Sequence, residues 1–254
     1  MSRDQGLLRD VYLGGMTRAR RGLDGTRLLR AWDRQVAAHP RGASAHLRTL
    51  LAVHNAEDLV RMDLPWWTYR AVDAVESFLA RHGGRARVFE YGSGASTVWL
   101  ARRAGSVDAV EHEAGWAERV RQLLAGTPGL LCAPTVHVPA VPRSERPLVA
   151  SGAPSGQGLE FRDYVHAIDE VPGEFDLVLV DGRARADVLR HVLDRVGPGG
   201  LVLLDDAQRT RYTVAVDEAI GRGWHVRRTR GATPCQPVPR ETVLLSRDPS
   251  ALGG

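Results

Sequence analysis

Lysine is absent from this chain of 254 residues, so all 34 of its basic residues are arginine. The arginines are spread along the whole sequence, which carries a net charge of +4. A surface that binds a nucleic-acid backbone concentrates its basic residues in one patch or along one helix. The even distribution therefore does not favour a nucleic-acid partner, despite the positive net charge.

Cysteine and long apolar runs are also scarce. The two cysteines, Cys132 and Cys235, do not form a Cys-x-x-Cys pair, so the sequence offers no zinc cluster and no disulfide framework. The longest apolar runs, such as residues 177–180 and 201–204, are much too short to cross a bilayer. The first residues lack the apolar segment of a signal peptide. We therefore expect a cytoplasmic protein with no membrane partner.

Apolar periodicity divides the chain into two parts. Apolar residues recur at spacings of three and four from about residue 7 to residue 62, which predicts a helical N-terminal extension over residues 1–64. In residues 65–254, strands and helices alternate, with a turn at residues 197–200, and this pattern predicts a doubly wound, Rossmann-like α/β sheet. The last two strands, near 224–227 and 242–245, follow each other without a helix. We expect them to form a hairpin at an antiparallel edge.

The most informative stretch covers residues 87–101. A β-favouring run ends at Glu90 and Tyr91, and the chain then passes through Gly92 and Gly94 into helical spacing. Glycines at such a turn let a ligand approach the backbone, and the free N–H groups of the new helix face the same crevice. We therefore expect a negatively charged group to dock at this turn.

Acidic residues close several of the predicted strands. Glu111 ends the second strand, 17 residues after Gly94, where nucleotide-binding α/β folds use an acid to accept hydrogen bonds from ribose hydroxyls. The ligand of such a sheet lies at the carboxyl ends of its strands. The acids predicted at that edge are Glu90, Glu111, Asp181, Asp205 and Asp206.

Two further segments are candidates for ligand contacts. Trp66 and Trp67 either wall a ligand site or pack the extension onto the main domain. Thr68, next to them, is the expected N-cap of the following helix. Residues 141–158 are rich in Pro, Ser and Gly and have no periodicity, so they form either a lid over the site or a disordered loop.

The strand ends carry motifs that resemble a known superfamily. The motifs are Glu-x-Gly-x-Gly after the first strand, an acid closing the second, Phe-Asp-Leu-Val-Leu-Val-Asp as the fourth and Pro-Gly-Gly-x-x-x-x-x-Asp around the fifth. This order is similar to class I S-adenosylmethionine (SAM) dependent methyltransferases, over roughly residues 66–247, and more narrowly to a little-characterised branch without a defined substrate. The superfamily implies a seven-stranded sheet whose last strand runs antiparallel. Dinucleotide enzymes, the main alternative, need a third glycine where this chain has Thr97.

The resemblance implies SAM as the cofactor. The Ser96 and Thr97 hydroxyls suit the methionine carboxylate of SAM, and Glu90 suits its positively charged end. The implied cofactor-binding residues are Glu90, Tyr91, Gly92, Ser93, Gly94, Ser96, Thr97, Glu111, His112 and Asp181.

The same resemblance implies an in-line attack on a methyl carbon activated by a sulfonium, so that the protein mainly positions the reactants. Asp181, Asp206 and His112 are the candidate catalytic residues, with Asp206 or His112 as the base where the acceptor carries a proton. Metal-dependent relatives hold Mg²⁺ with acids at the ends of the fourth and fifth strands, for which this chain offers Asp181, Asp205 and Asp206. Ala207 stands where those enzymes place an amide, so Mg²⁺ is an open alternative.

The expected acceptor is a small molecule, such as a natural product of secondary metabolism, methylated on oxygen in preference to nitrogen or carbon. Arginines after the fourth and fifth strands suit an anionic or phenolic group. The alternatives are a nucleic-acid methyltransferase, although no Asn/Asp-Pro-Pro-aromatic run follows the fourth strand, and a SAM-binding regulatory protein without turnover. A homo-oligomer is compatible with the sequence. The implied substrate residues are Trp67, Thr68, Tyr164, Arg183, Arg209 and Tyr212.

Overall fold

A seven-stranded sheet forms the centre of the protein in its computed structural model, which describes residues 14–16, 18, 22–23, 26–38, 42–52 and 55–253. The strands, in chain order, are β1 (Arg87–Tyr91), β2 (Ser106–Val110), β3 (Thr135–His137), β4 (Phe175–Val180), β5 (Val196–Leu204), β6 (His225–Thr233) and β7 (Gln236–Ser246). In space they lie in the order β3-β2-β1-β4-β5-β7-β6.

Strands β1 to β5 run parallel, and β7 runs antiparallel to both of its neighbours. In β4, every residue except Asp176 is buried, as expected for a strand that is covered by helices on both faces. The predicted doubly wound sheet of seven strands, with its last strand antiparallel, is therefore confirmed.

Helices cover both faces of this sheet. One face packs against residues such as Phe78 and Trp99, and the other against residues such as Val188 and Val216. Within the described part of the chain, no helix combines the length and the apolar character needed to cross a membrane. The helices are α1 (Arg27–Ala38), α2 (Ala43–Leu50), α3 (Ala56–Met62), α4 (Tyr69–Arg81), α5 (Ala95–Ala101), α6 (Ala114–Ala125), α7 (Arg162–His166), α8 (Arg185–Val192) and α9 (Thr213–Gly221).

The N-terminal extension supports the helix that follows the glycine turn. Helices α1, α2 and α3 confirm the helical prediction for most of the described residues of this segment, whereas residues 7–13, 39–41 and 53–54 are among those outside the described part. Leu59, on α3, packs in one cluster with Val98 of α5. On α2, Thr49 Oγ1 accepts a hydrogen bond from the Cys235 N–H at 3.1 Å. The domain boundary at residue 64 stays a prediction.

The turn predicted at residues 197–200 is wrong, because the structure has a bulge inside β5 there. Val196 pairs with Phe175, and the ladder resumes at the pair of Leu201 and Leu177. The segment between the two pairs loops out of the ladder without ending the strand.

The hairpin of β6 and β7 is confirmed but is longer than predicted. Its ladder continues to the pair of Thr233 and Gln236, through glycine and proline positions whose composition indicates a loop. Proline is compatible with a strand position that needs no N–H donor. Cys235, in the turn, has a left-handed backbone (φ +63), and both Cys235 and Cys132 are free thiols, as expected.

Candidate functional site

The turns that follow β1 and β4 touch each other at the carboxyl edge of the sheet. Gly92 has a φ of +95, and a Cβ on it would lie 3.1 Å from the backbone nitrogen of Gly182. A Cβ on Gly182 would lie 1.9 Å from Oη of Tyr164, whose buried hydroxyl accepts from the Arg183 N–H at 3.4 Å. Both positions therefore require glycine. This close approach brings the acids of the two strand ends together.

Glu90, in β1, is buried and held by two hydroxyl groups. Thr97 Oγ1 donates to its Oε2 at 2.6 Å, and Ser96 Oγ donates to its Oε1. Thr97 Oγ1 in turn accepts from the Gly94 N–H at 2.9 Å. Burial raises the pKa of Glu90 to about 8, against the effect of the two hydroxyl donors. In this structure the two hydroxyls are engaged by Glu90, whereas the sequence suggested that they would face a ligand carboxylate.

Tyr91 and Ser93 flank Gly92 and have different surroundings. The side chain of Tyr91 is fully buried, and its hydroxyl donates to the carbonyl of Val165 at 2.6 Å, so this side chain belongs to the core. Ser93 Oγ donates to Glu111 Oε2 at 3.4 Å, and the Ser93 carbonyl accepts from Trp116 Nε1 at 2.8 Å. These bonds tie the glycine turn to the end of β2.

Glu111 and His112 form a hydrogen-bonded pair directly after β2. Glu111 Oε1 accepts from the N–H groups of His112 at 2.8 Å and Glu113 at 3.0 Å, and it lies 2.6 Å from His112 Nδ1. Burial alone would raise the pKa of Glu111, but these contacts lower it below its ordinary value. Arg183 Nε lies 3.4 Å from His112 Nε2. Since arginine only donates, we assign Nε2 as the acceptor and place the proton of a neutral imidazole on Nδ1.

Arg185, the first residue of α8, lies among the three carboxylates that follow β4 and β5. Its Nη2 is 2.8 Å from Asp181 Oδ1, and its Nη1 is 4.0 Å from Asp205 Oδ2 and 3.9 Å from Asp206 Oδ2. The guanidinium also donates to the carbonyls of Asp181 at 2.7 Å, Gly182 at 3.0 Å and Asp205 at 2.6 Å. Sequence reasoning missed this role, because nothing in the pattern indicated which arginine would neutralise the acids.

The three carboxylates differ in how readily they ionise. Burial raises the pKa of Asp181 to about 6, although Arg185 opposes this effect. Burial and the two neighbouring acids raise the pKa of Asp205 well above its ordinary value. Burial alone would raise the pKa of Asp206, but the positive charges of Arg185 and Arg209 bring it below its ordinary value. Burial thus favours the protonated form of Asp205, whereas the two arginines favour the charged form of Asp206.

This donor set does not fit Mg²⁺. A divalent cation needs several ionised oxygen ligands that converge on one point, whereas Arg185 occupies the space between these carboxylates. Asp205 Oδ1 also accepts from Thr242 Oγ1 at 2.8 Å, and Asp206 binds Arg209. Arg185 thus supplies positive charge at the position where the sequence left Mg²⁺ as an open alternative.

Trp67 and Thr68 lie behind the same carboxylates. The Thr68 N–H donates to Thr242 Oγ1 at 3.1 Å, and its hydroxyl accepts from the Ala71 N–H at 3.3 Å, which confirms the predicted N-cap and gives Thr68 a structural role. Trp67 is fully buried, and its indole N–H makes no hydrogen bond of normal geometry within the described residues. This N–H is still near enough to Asp181 to lower the pKa of that carboxyl. A buried donor of this kind is a contact that a ligand can complete.

A cleft of about 190 Å³ opens between the loops after β4 and β5 and residues 150–153. Three of the predicted substrate residues, Arg183, Arg209 and Tyr212, line this cleft, and their contact with an acceptor stays a prediction. Tyr164 is fully buried and is not among the lining residues. Arg211, which sequence reasoning missed, also lines the cleft. Part of the loop predicted at residues 141–158 therefore borders the cleft.

Glu160 anchors this loop. Its carboxylate accepts from the N–H groups of Leu148 at 2.6 Å, Val149 at 3.0 Å and Arg162 at 3.1 Å. The bridge between Arg143 and Leu159 closes the base of the loop. The loop is thus a folded element of the cleft wall.

No family model matches this sequence, and no curated protein matches it. Among solved structures, the O-methyltransferase TomG from Streptomyces achromogenes, involved in tomaymycin synthesis and in complex with SAM, aligns with a TM-score of 0.52 and 20% identity over 78% of this chain and 88% of that chain. The O-methyltransferase from Bacillus cereus in complex with S-adenosylhomocysteine (SAH) aligns with a TM-score of 0.54 and 16% identity over 85% and 98%. The chain has the class I methyltransferase fold. An rRNA methylase from Streptococcus thermophilus also aligns, with a TM-score of 0.48 and 13% identity over 69% and 95%.

The residues at the glycine turn fit the cofactor of this fold. Burial raises the pKa of the Glu90 carboxyl, and a cation bound beside it would favour its charged form. Among the described residues, the only hydrogen bond to Glu111 Oε2 is the long one from Ser93, so this oxygen can accept another from a ligand hydroxyl group. The crevice is open at Gly94, where the nearest atom to an added Cβ would be Trp116 Cζ2 at 3.8 Å. SAM provides both an ammonium group and ribose hydroxyls.

Proposed function

We propose that this protein transfers the methyl group of SAM to an oxygen atom of a small-molecule acceptor. The observation that carries the proposal is the pair of buried carboxylates at the ends of neighbouring parallel strands of a class I methyltransferase fold, Glu90 in β1 and Glu111 directly after β2. Glu90 would bind the ammonium group of the cofactor, and Glu111 would bind its ribose. When bound, SAM supplies a methyl group that its sulfonium activates for in-line attack.

We assign the role of base to His112. Its Nδ1–H is held by Glu111, so its Nε2 presents a lone pair, whose one contact within the described residues is the long hydrogen bond from Arg183. Asp206 is a weaker base, because ion pairs with Arg185 and Arg209 stabilise its charged form. His112 would take the proton of an acceptor hydroxyl as the oxygen attacks, and Glu111 would stabilise the resulting imidazolium.

Calorimetric titration with SAM and SAH tests the cofactor site. Glu111→Gln should weaken binding of both by roughly tenfold or more, because it removes a charged acceptor. Glu113→Gln is the matched control, since Glu113 is exposed and its side chain makes no capping hydrogen bond, so it should bind like the parent protein. A folded parent protein that binds neither SAM nor SAH would refute the proposal.

The acceptor class needs a separate assay. The protein is incubated with methyl-labelled SAM and either a small-molecule extract or an RNA fraction of its source. We expect label in an ether or ester of the small-molecule fraction and none in RNA. Label in RNA alone would replace the small-molecule proposal, and SAM binding without any labelled product would indicate a regulatory protein.

A further inference from the structure

Among the described residues, four arginines and no carboxylate line the cleft between the loops after β4 and β5. Its remaining lining residues within the described chain are small or aromatic and carry no charge. The arginines come from two places: Arg183 and Arg185 follow β4, and Arg209 and Arg211 follow β5. Four like charges around one cleft repel one another unless negative charge compensates them.

Protein carboxylates compensate only two of the four. Arg185 pairs with Asp181, and Arg209 pairs with Asp206. Neither Arg183 nor Arg211 has a carboxylate within 4.0 Å in the part of the chain that the structure describes, since their contacts are with uncharged groups. Arg183 Nε points at His112 Nε2, and Arg211 donates to the carbonyl of Gly152 at 2.7 Å and to Tyr212 Oη at 3.2 Å.

The loop wall is fitted to Arg211. A Cβ on Gly152 would lie 2.9 Å from Arg211 Cδ, so glycine lets the loop lie directly against this side chain. Arg211 also stacks on the ring of Tyr212, with its Cζ 5.0 Å from the ring centroid. These contacts hold the guanidinium in the cleft wall while leaving its charge without a counterion.

We propose that this cleft binds an oxyanion carried by the methyl acceptor, a carboxylate or a phosphate ester, through Arg183 and Arg211. The inference rests on the proposed methyltransferase function and narrows its acceptor from anionic or phenolic molecules to anionic ones. Planar guanidinium groups bind both oxyanions through paired N–H donors. Because Arg183 also contacts His112, an anion held there is anchored beside the proposed base.

Anion binding can be measured without knowing the acceptor. The protein, with and without saturating SAH, is titrated with inorganic phosphate and, separately, with benzoate, using calorimetry. We expect saturable binding of at least one probe. Binding of phosphate alone assigns a phosphate ester, and binding of benzoate alone assigns a carboxylate. Arg183→Gln and Arg211→Gln should each weaken binding by roughly tenfold, because each loses a charge-assisted interaction but keeps an amide donor.

Arg222→Gln is the control, since Arg222 pairs with Asp194 on a different surface and should bind as the parent does. Thermal melting of each variant establishes that it is folded. Absence of saturable binding of both probes, or equal affinity in the parent and in folded Arg183→Gln and Arg211→Gln variants, would overturn the proposal. Titration of the same samples with SAH separates the two hypotheses. A parent protein that binds the anion but not SAH would refute the proposed methyltransferase function while still supporting the anion site.

Discussion

Replacing Glu90 by glutamine should stabilise the protein at alkaline pH and weaken its cofactor binding. Burial raises the pKa of this carboxyl from 4.5 to about 8 in the folded protein. Between these two pH values the folded chain keeps a proton that the unfolded chain has released. Stability attributable to Glu90 is therefore greatest below pH 4.5 and falls as the pH rises towards 8. Glutamine removes this dependence.

The magnitude follows from the shift. Well between the two pKa values, each pH unit costs about 1.4 kcal/mol of unfolding free energy for one proton. The slope falls as the pH approaches the folded pKa, so the interval from pH 6 to pH 8 amounts to about 2 kcal/mol. Glutamine also fits the site sterically. Thr97 must remain a donor to the side-chain oxygen, because it already accepts from Gly94, while the Ser96 hydroxyl can turn to accept from the new amide.

Urea unfolding of the parent and Glu90→Gln, without cofactor, at pH 6, 7 and 8 measures the effect. Asp181 and Asp205 also have raised pKa values, but they are present in both proteins, so the difference in unfolding free energy isolates Glu90. We expect this difference to shift in favour of the variant by about 2 kcal/mol from pH 6 to pH 8, and the affinity for SAM to fall by roughly tenfold or more. A difference that does not change with pH would refute the reasoning about burial.

Three further predictions concern the same edge of the sheet. Thr97→Ala should lower the free energy of unfolding in urea by about 1–3 kcal/mol, and Thr97→Ser should lower it clearly less, because serine keeps the hydroxyl that bonds Glu90 and Gly94. Equal losses in the two variants would contradict a stabilising role of this hydroxyl. Gly182→Ala should lower the free energy of unfolding by at least about 2 kcal/mol. Adding Tyr164→Phe should restore part of this loss, because it removes the hydroxyl oxygen that lies 1.9 Å from the new Cβ, and no restoration would show that the strain lies elsewhere. Methyltransferase activity should survive EDTA, and loss of activity in EDTA with recovery in Mg²⁺ would contradict the assignment of Arg185 as the internal cation. Arg185→Lys should lower thermal stability, because lysine keeps the positive charge but cannot donate to all three of the carbonyls that Arg185 binds.

The architecture could be predicted from the sequence because its strongest signals are local. A strand buried on both faces must be apolar along its length, as β4 is, and alternation with helices then implies parallel strands. Parallel strands end at one edge, so Glu90, Glu111 and Asp181 could be placed together without coordinates. The bulge at residues 197–200 could not be predicted, because glycine and proline indicate a turn unless the pairing with β4 is known.

The direction in which each side chain points could not be predicted from the sequence. Ser96 and Thr97 lie at the predicted turn, but only the structure shows that both hydroxyls donate to Glu90. Arg185 is one arginine among many in the sequence, and its role depends on which arginine reaches the acids. The need for a counter-charge among three clustered acids was a usable signal, since such carboxylates cannot all ionise without one.

The even spread of arginine along the chain excludes a linear basic run but does not exclude a basic site. Two turns of the sheet that are separated in sequence bring Arg183 and Arg185 together with Arg209 and Arg211 in one cleft. Arg185 uses its Nε and both Nη atoms on three carbonyls of two strand ends, which the compact ammonium of a lysine could not span. Arginine therefore has two roles in this cleft. Arg185 lies among acids, neutralises them and holds the strand ends, whereas Arg211 has no acid beside it among the described residues and leaves its positive charge for a ligand.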